Sequence, residues 1–147
     1  GIALAPDESY LMVCDAYNHR VAMVSIPGAV TTILAGGSFA GLFGNVDLQG
    51  TDALFYYPRG VAIDPEGRYA YVADSYNNNI RRITISTGDV STFAGSTTSF
   101  NGYTDGAGTN ARFYRPYDLV FARHRSTQIL YIADRNNHRI RRIDVAT

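Results

Sequence analysis

The chain has 147 residues, a formal net charge of zero and a pI near 7.0, so no global basic field attracts nucleic acid or acidic lipid. The single cysteine, Cys14, excludes a disulfide framework or a thiolate metal site within one chain, and no apolar run approaches the roughly 18 residues of a membrane helix. Eleven Tyr, seven Phe and fourteen Gly without Trp are typical of a β-rich protein with many turns, and the composition leaves the compartment open.

The chain is built from an internal repeat. Residues 1–36 align without a gap with residues 60–95, and residues 118–147 form a third copy that has two extra residues in its first turn and ends early. In the second copy, short strands are predicted at residues 60–63, 69–73, 80–85 and 90–94. The first two of these strands are separated by Asp-Pro-Glu-Gly, whose residue types favour a tight turn.

The predicted strands carry apolar residues on both faces, as in residues 61–63 and 71–73. A sheet of this kind must be covered on both sides, and no helical period of useful length supplies the cover. Each sheet is therefore expected to stack on its neighbours, and a four-strand repeat of about 58 residues favours a propeller over a β-solenoid. The sequence predicts an all-β fold, a β-propeller segment of three four-stranded antiparallel blades of which the last lacks its outer strand.

We interpret residues 1–147 as a single partial propeller domain with two long connectors. Its parts are a blade at 1–36, a connector at 37–57, a blade at 58–95, a connector at 96–115 and a partial blade at 116–147. Both ends look cut, so we expect a fragment of a longer propeller. Its two end blades would expose apolar faces, and two chains pairing about a two-fold axis would complete a six-bladed ring.

The connectors repeat as well. Residues 44–58 and 102–116 fit G-x-x-D-x-x-G-T-x-A-x-F-x-x-P. Within each we predict one capped helical turn, with Thr51 and Thr109 as N-caps and Phe55 and Phe113 packed against the blade. Long connectors in compact domains are often binding loops.

The turns after the second strands read D-A-Y-N-H-R, D-S-Y-N-N-N and D-R-N-N-H-R at residues 15–20, 74–79 and 134–139. Together with the Y-V-A-D type of strand and the P-x-G-V-A-I-D start, these turns resemble the NHL repeat family, from which Asn78 departs at the family's His position. The resemblance implies a β-propeller, most often six-bladed, that usually serves as a binding platform. Partners of such proteins include proteins, single-stranded RNA and carbohydrate-like ligands, and a minority of relatives are metal-dependent lyases or hydrolases.

His19 and His138 occupy equivalent turns, where they would be either metal ligands or residues that tolerate a positive φ; Asn78 at the third such site favours the turn role. Asp15, Asp74 and Asp134 end the second strands. Their recurrence favours a cap that accepts backbone N–H groups of the following turn over a ring of calcium ligands.

Asp47 and Asp105 lie in the Gly-rich connectors, without the complete spacing of a calcium loop, and we favour a hydrogen-bonded turn for them. Two arginine pairs follow the turns and are possible anion contacts: Arg81, Arg82, Arg141 and Arg142. Strand alternation places the members of each pair on opposite faces, and pairing with acids between blades is the structural alternative.

The sequence therefore predicts a non-enzymatic propeller scaffold for a protein or peptide, without a cofactor or metal. Binding is assigned to aromatic, apolar and Arg side chains of the connectors, since these anchor many interfaces. These residues are Phe39, Leu42, Phe43, Tyr56, Tyr57, Phe100, Tyr103, Tyr114, Arg115 and Tyr117. The alternatives are single-stranded RNA binding through Arg and Tyr, a metal-dependent propeller lyase or hydrolase, and a structural spacer.

Overall fold

The computed structural model describes residues 1–37, 41–124 and 127–145, which form antiparallel β-sheets joined by turns and connectors. Within these ranges there are two four-stranded sheets and one three-stranded sheet, and in each the spatial order of strands follows the chain. The described ranges contain no helix that is both long and apolar enough to cross a membrane.

Each sheet corresponds to one copy of the repeat. The first contains β1 (Ile2–Leu4), β2 (Tyr10–Asp15), β3 (Arg20–Ser25) and β4 (Thr31–Gly36). The second contains β5 (Pro58–Ile63), β6 (Tyr69–Asp74), β7 (Asn79–Thr84) and β8 (Val90–Gly95). The third contains β9 (Pro116–His124), β10 (Thr127–Asp134) and β11 (Arg139–Val145), and has three strands within the part of the chain that the structure describes. The predicted all-β architecture is confirmed.

The hairpin between β5 and β6 shows how local chemistry sets a turn. The Oδ1 atom of Asp64 accepts the backbone N–H groups of Arg68 at 2.6 Å and Tyr69 at 2.8 Å. Gly67 adopts a positive φ of 68°, which costs glycine little because it lacks a Cβ. The turn residues named by the sequence therefore close this hairpin.

The middle sheet is buried on both faces. Val61, Val72 and Ile83 belong to one apolar core, shared with the first sheet, which also holds Met12 and Val21. The alternate strand positions belong to a second core, shared with the third sheet: Ala62, Tyr71, Ile80, Leu119, Leu130 and Ile132. This division follows the two-residue period of a strand and confirms that the sheets stack face to face.

The two outer faces of the stack are exposed. Ile2 and Leu4 of β1 are 67% and 51% exposed, and Val120 of β9 and Ile140 of β11 are 60% and 71% exposed. Val120 alternates along β9 with Leu119, which is buried in the second core. The end sheets therefore present apolar side chains that have no covering sheet among the described residues.

The connectors are packed against the following blade. The carbonyl oxygen of Leu48 accepts the N–H of Val90 at 2.9 Å, which extends the outer edge of β8. Phe55 and Phe113 are 0% and 1% exposed, as predicted. Each connector is thus anchored in the core by its phenylalanine, while residues 103–110 of the second connector are exposed.

The predicted threonine caps are wrong. Short 3-10 turns form at Gly50–Asp52 and Gly108–Asn110, their N-cap positions are Gln49 and Ala107, and neither position makes a side-chain capping bond. A cap at Thr51 would accept the N–H of Ala53 or Leu54. These groups donate instead to the carbonyl oxygens of Gly50 at 3.3 Å and Val46 at 3.1 Å.

Candidate functional site

Three 3-10 turns follow the second strands of the blades, at Ala16–Asn18, Ser75–Asn77 and Arg135–Asn137. Each ends in a residue with a left-handed backbone, namely His19, Asn78 and His138, with φ values of 56°, 56° and 53°. The predicted turn role of these residues is confirmed. These turns and the C-terminal ends of both connectors lie at the same end of the strands, and we call this surface the turn face.

His19 and Asn78 perform the same structural task. The Nδ1 atom of His19 accepts the N–H of Tyr57 at 3.1 Å, and the Oδ1 atom of Asn78 accepts the N–H of Arg115 at 2.9 Å. Tyr57 and Arg115 are equivalent connector positions, and both have a positive φ. The departure at Asn78 therefore preserves the bond that holds a connector to the preceding blade. Burial lowers the pKa of His19, although the charge of Asp15 opposes this.

Asp74 is a structural anchor with partners other than those expected. Its backbone donor is the connector residue Tyr56, at 2.7 Å, whereas the turn contributes the side-chain amide of Asn77 at 2.8 Å. Asp134 repeats the arrangement with the N–H of Tyr114 at 2.8 Å. The expectation of backbone donors from the turn itself is thus corrected, because the connector lies closer to the carboxylate.

Arg81 ties the connector to the blade and is inaccessible to an external anion. Its side chain is 0% exposed, bonds Asp74 at 3.0 Å and Asp47, and donates to the carbonyl of Leu54 at 2.9 Å. Desolvation raises the pKa of Asp74 to about 6, against the lowering effect of Arg81. Asp47 therefore serves in an ion pair, in place of the hydrogen-bonded turn that we expected.

Arg82 points to the opposite face, as strand alternation requires, and its guanidinium lies 5.0 Å from the centre of the Tyr69 ring. In the third blade Arg141 repeats the role of Arg81, bonding Asp134 at 3.0 Å and the exposed Asp105. Arg142 is half-exposed and pairs with Asp144 at 2.7 Å. Neither predicted arginine pair thus offers two free guanidinium groups.

Aromatic side chains gather on the turn face above His19. The rings of Phe43 and Tyr56 stack with their centres 4.3 Å apart, and the Tyr57 ring meets His19 edge-on at 4.6 Å. Tyr76, from the second blade, lies 5.1 Å from Tyr56 and 4.8 Å from Tyr57. We call Phe43, Tyr56, Tyr57 and Tyr76 the tyrosine cluster; it bridges the first two blades.

Four arginines lie over tyrosine rings of the turn face. Arg115 lies 4.2 Å from the centre of the Tyr76 ring, and Arg139 lies 4.9 Å from that of Tyr103. Arg59 and Arg135, from different blades, both approach Tyr117, at 5.0 and 5.3 Å. We call Arg59, Arg115, Arg135 and Arg139 the arginine row; it continues the aromatic surface to the third blade.

The predicted connector residues are distributed unevenly. Phe39 lies outside the described residues, and Tyr114 is half-buried with its backbone bonded to Asp134. Leu42 and Phe100 are exposed, at 45% and 73%, without an aromatic partner among the described side chains. The predicted residues that the structure brings together on the turn face are Phe43, Tyr56, Tyr57, Tyr103, Arg115 and Tyr117.

Sequence reasoning missed Arg59, Arg135 and Arg139 as parts of this surface. Arg59 follows the proline at the entrance of β5, and Arg135 lies inside the 3-10 turn of the third blade. The alignment of the repeats could have indicated them, because all three arginines lie in or beside the aligned turns or at the start of an inner strand. Equivalent turns of stacked blades lie at the same end of the sheets.

No described group of three or more His, Cys, Asp and Glu side chains has the geometry to hold a metal ion. Cys14 is buried in the first core, and desolvation raises the pKa of its thiol to about 12. A thiol of this kind stays protonated and packs as an apolar group.

The stacked antiparallel sheets, radiating from inner strands β1, β5 and β9, define a segment of a β-propeller whose turn face carries aromatic and cationic side chains. The model of the NHL repeat matches residues 55–83. The chain is 35% identical to NHL repeat-containing protein 2 of Homo sapiens and 31% identical to protein SUPPRESSOR OF QUENCHING 1 of Arabidopsis thaliana. It belongs to the NHL-repeat propeller family.

Those alignments include 100% and 99% of this chain but only 21% and 14% of the two relatives, so the chain spans about a fifth or less of their length. Among solved structures, an auxiliary nutrient binding protein from Bacteroides thetaiotaomicron superposes with a TM-score of 0.83 at 27% identity, over 96% of this chain and 36% of that one. A Bacteroides ovatus protein of the same description gives 0.81 at 24% identity, over 99% and 37%.

Proposed function

We propose that this chain is a non-catalytic binding scaffold that takes a protein or peptide on its turn face. The observation that supports this proposal most directly is the surface formed by the tyrosine cluster and the arginine row, which spans all three blades. Tyr and Arg are, with Trp, the side chains enriched among interface anchors, and each combines a large contact area with hydrogen-bonding groups.

The scaffold under this surface supports a binding role. His19 and Asn78 bond the backbone of Tyr57 and Arg115, and Asp74 bonds that of Tyr56. A connector backbone held in this way has little conformational freedom left to lose when a partner binds, which favours affinity. The nutrient binding described for the Bacteroides protein is compatible with a scaffold role, although this chain covers only 36% of that protein.

The test is selection of 12-residue peptides from a phage-displayed library on the immobilised 147-residue chain. We expect enriched peptides whose binding is lost in Tyr57→Ala and Tyr117→Ala but kept in Val30→Ala, which removes a 62% exposed side chain from the opposite end of the sheets. A library without enrichment, or equal loss in all three variants, contradicts the proposal.

Single-stranded RNA is the second candidate, favoured by the proximity of Arg59 and Arg135 to Tyr117. Binding through several phosphates weakens steeply with salt because counterions are released. Oligouridylate binding that falls strongly between 50 and 200 mM salt, and exceeds that of any selected peptide, would favour RNA. A flat salt response would count against it.

We also propose that two chains associate through their outer faces, so that the first blade of one chain packs on the third blade of the other. The exposed Ile2, Leu4, Val120 and Ile140 supply the apolar surface, and two such contacts about a two-fold axis complete a six-bladed ring. A monomer at tens of micromolar in analytical ultracentrifugation contradicts this.

A further inference from the structure

The four arginines of the row stand together on the turn face without carboxylate partners in the described part of the chain. Among the described residues, no carboxylate oxygen lies within 4.0 Å of the guanidinium nitrogens of Arg59, Arg115, Arg135 or Arg139. The exposed Asp118, next in sequence to Tyr117, pairs with no described arginine either. Several positive charges therefore stand on one surface without compensation.

Five arginines outside the row pair with carboxylates of the chain: Arg20, Arg68, Arg81, Arg141 and Arg142. Among the described residues, Arg82, Arg112 and Arg123 also have no carboxylate oxygen within 4.0 Å. However, Arg82 and Arg123 lie towards the strand ends opposite the turn face, and Arg112 donates to the carbonyl oxygens of Thr109 and Ala111.

Arg68 is the closest comparison, because it too lies over a tyrosine ring, 5.7 Å from the centre of Tyr69, yet Asp64 and Glu66 each approach it at 3.5 Å. Stacking on tyrosine does not by itself prevent an arginine from having an acid partner.

The geometry leaves the guanidinium groups ready for an anion. A guanidinium that lies over a ring keeps its in-plane N–H groups available, and these match the two oxygens of a carboxylate. At Tyr117 two guanidinium groups approach one ring, and Arg59 is also 3.5 Å from the hydroxyl oxygen. An anion that binds one of these guanidinium groups is also attracted by the charge of the other.

We propose that the turn face binds an extended acidic protein segment whose Asp and Glu side chains pair with the arginine row. This rests on the proposed function and adds the chemical class of the partner. A protein acid fits better than a polynucleotide for two reasons. The rings of Tyr76, Tyr103 and Tyr117 already carry guanidinium groups where a base would stack, and the chain as a whole is neutral.

The test compares the acid content of peptides selected from the same phage library on three versions of the 147-residue chain. Wild type and Arg68→Gln are expected to enrich Asp and Glu above the unselected library, whereas the double variant Arg59→Gln, Arg135→Gln is expected to lose this enrichment. For one synthetic selected acidic peptide, the double variant should weaken binding about tenfold or more, since charged hydrogen bonds are lost. The Arg68→Gln variant should stay within about twofold because its acid partners lie in the chain itself.

Several results overturn the inference. The arginine row has no role if the selected peptides have only the acid content of the starting library, or if the double variant still enriches acidic peptides. Either result leaves the peptide-binding proposal intact. Tighter binding of a 12-nucleotide oligouridylate than of the selected peptide assigns the row to nucleic acid. The failure of every peptide to enrich instead ends the proposed function itself. Equal thermal unfolding midpoints show that the variants remain folded.

Discussion

The Nδ1 atom of His19 accepts the backbone N–H of Tyr57 at 3.1 Å, so the imidazole must be neutral there, with any proton on Nε2. Asn78 makes the equivalent bond to Arg115 with a group that does not titrate. Protonation of His19 at Nδ1 would place two donors against each other. Acid should therefore weaken the bond between His19 and the first connector but leave the equivalent bond between Asn78 and the second connector unchanged.

Stability is therefore expected to depend on pH through His19. Its pKa is lowered in the folded chain, so its contribution is complete above the ordinary value of about 6.5 and is lost as pH falls through the lower folded value. Denaturant unfolding between pH 5 and 7.5 should show a larger loss towards acid for wild type than for His19→Asn. Equal slopes for the two proteins would show that His19 does not carry the effect, because all other titrating groups are shared.

Asp74 and Asp105, which both pair with an arginine of the repeated network, should contribute different amounts to the free energy of unfolding. Asp74→Asn leaves the fully buried Arg81 without its inner carboxylate, and breaking a buried pair costs about 3–5 kcal/mol of the free energy of unfolding. Asp105→Asn removes a carboxylate that is 92% exposed, for which we expect less than about 1 kcal/mol. Urea unfolding measures both, and similar losses would contradict the assignment of Asp74 as the anchor.

Phe55 should be essential to the packing of the first connector. Its ring is fully buried between the first two blades, with the guanidinium of Arg81 at 5.1 Å, and Phe55→Ala should cost about 3–5 kcal/mol. The matched change Phe100→Ala, in the second connector, removes a ring that is 73% exposed and should stay within about 0.5 kcal/mol. A small loss for Phe55→Ala would show that the connector is not part of the core.

Gly60 marks a close approach between the inner strands β5 and β9. A Cβ added there would lie 2.6 Å from the Cα of Asp118 and 3.0 Å from the carbonyl oxygen of Tyr117. Gly60→Ala must therefore displace backbone, and we expect a loss of about 1–3 kcal/mol in urea unfolding. At Gly44 the nearest atoms are those of the Leu54 side chain, which can move, so Gly44→Ala should cost less. The reverse order would contradict the packing of β5 against β9.

Self-association should respond to charge on an outer face. Ile140→Glu introduces a carboxylate at a position that is 71% exposed in one chain and covered in the proposed ring. We expect sedimentation velocity to show a shift towards monomer, because an unpaired charge is costly to bury. The exposed Val30, away from both outer faces, provides the control Val30→Glu. An unchanged sedimentation coefficient for Ile140→Glu would remove that face from the interface.

The sequence by itself determined the repeated strands, the stacking of sheets and the turn residues. Apolar residues on both faces of residues 61–63 require neighbours on each side, and His19 and Asn78 tolerate the left-handed backbone that their turns need. These properties are local or periodic, so they can be read without coordinates. The burial of Phe55 also followed from the repeated connector.

Only the tertiary structure decided which charges are free. Arg81 and Arg59 look alike in sequence, but a connector brings Asp47 to the first and stacking of blades brings Tyr117 to the second. Arg135 reaches the same ring from a turn 76 residues beyond Arg59 in the numbering (135 − 59). Whether an arginine has an acid partner depends on atoms from distant segments of the chain, and neither residue propensity nor periodicity gives their positions.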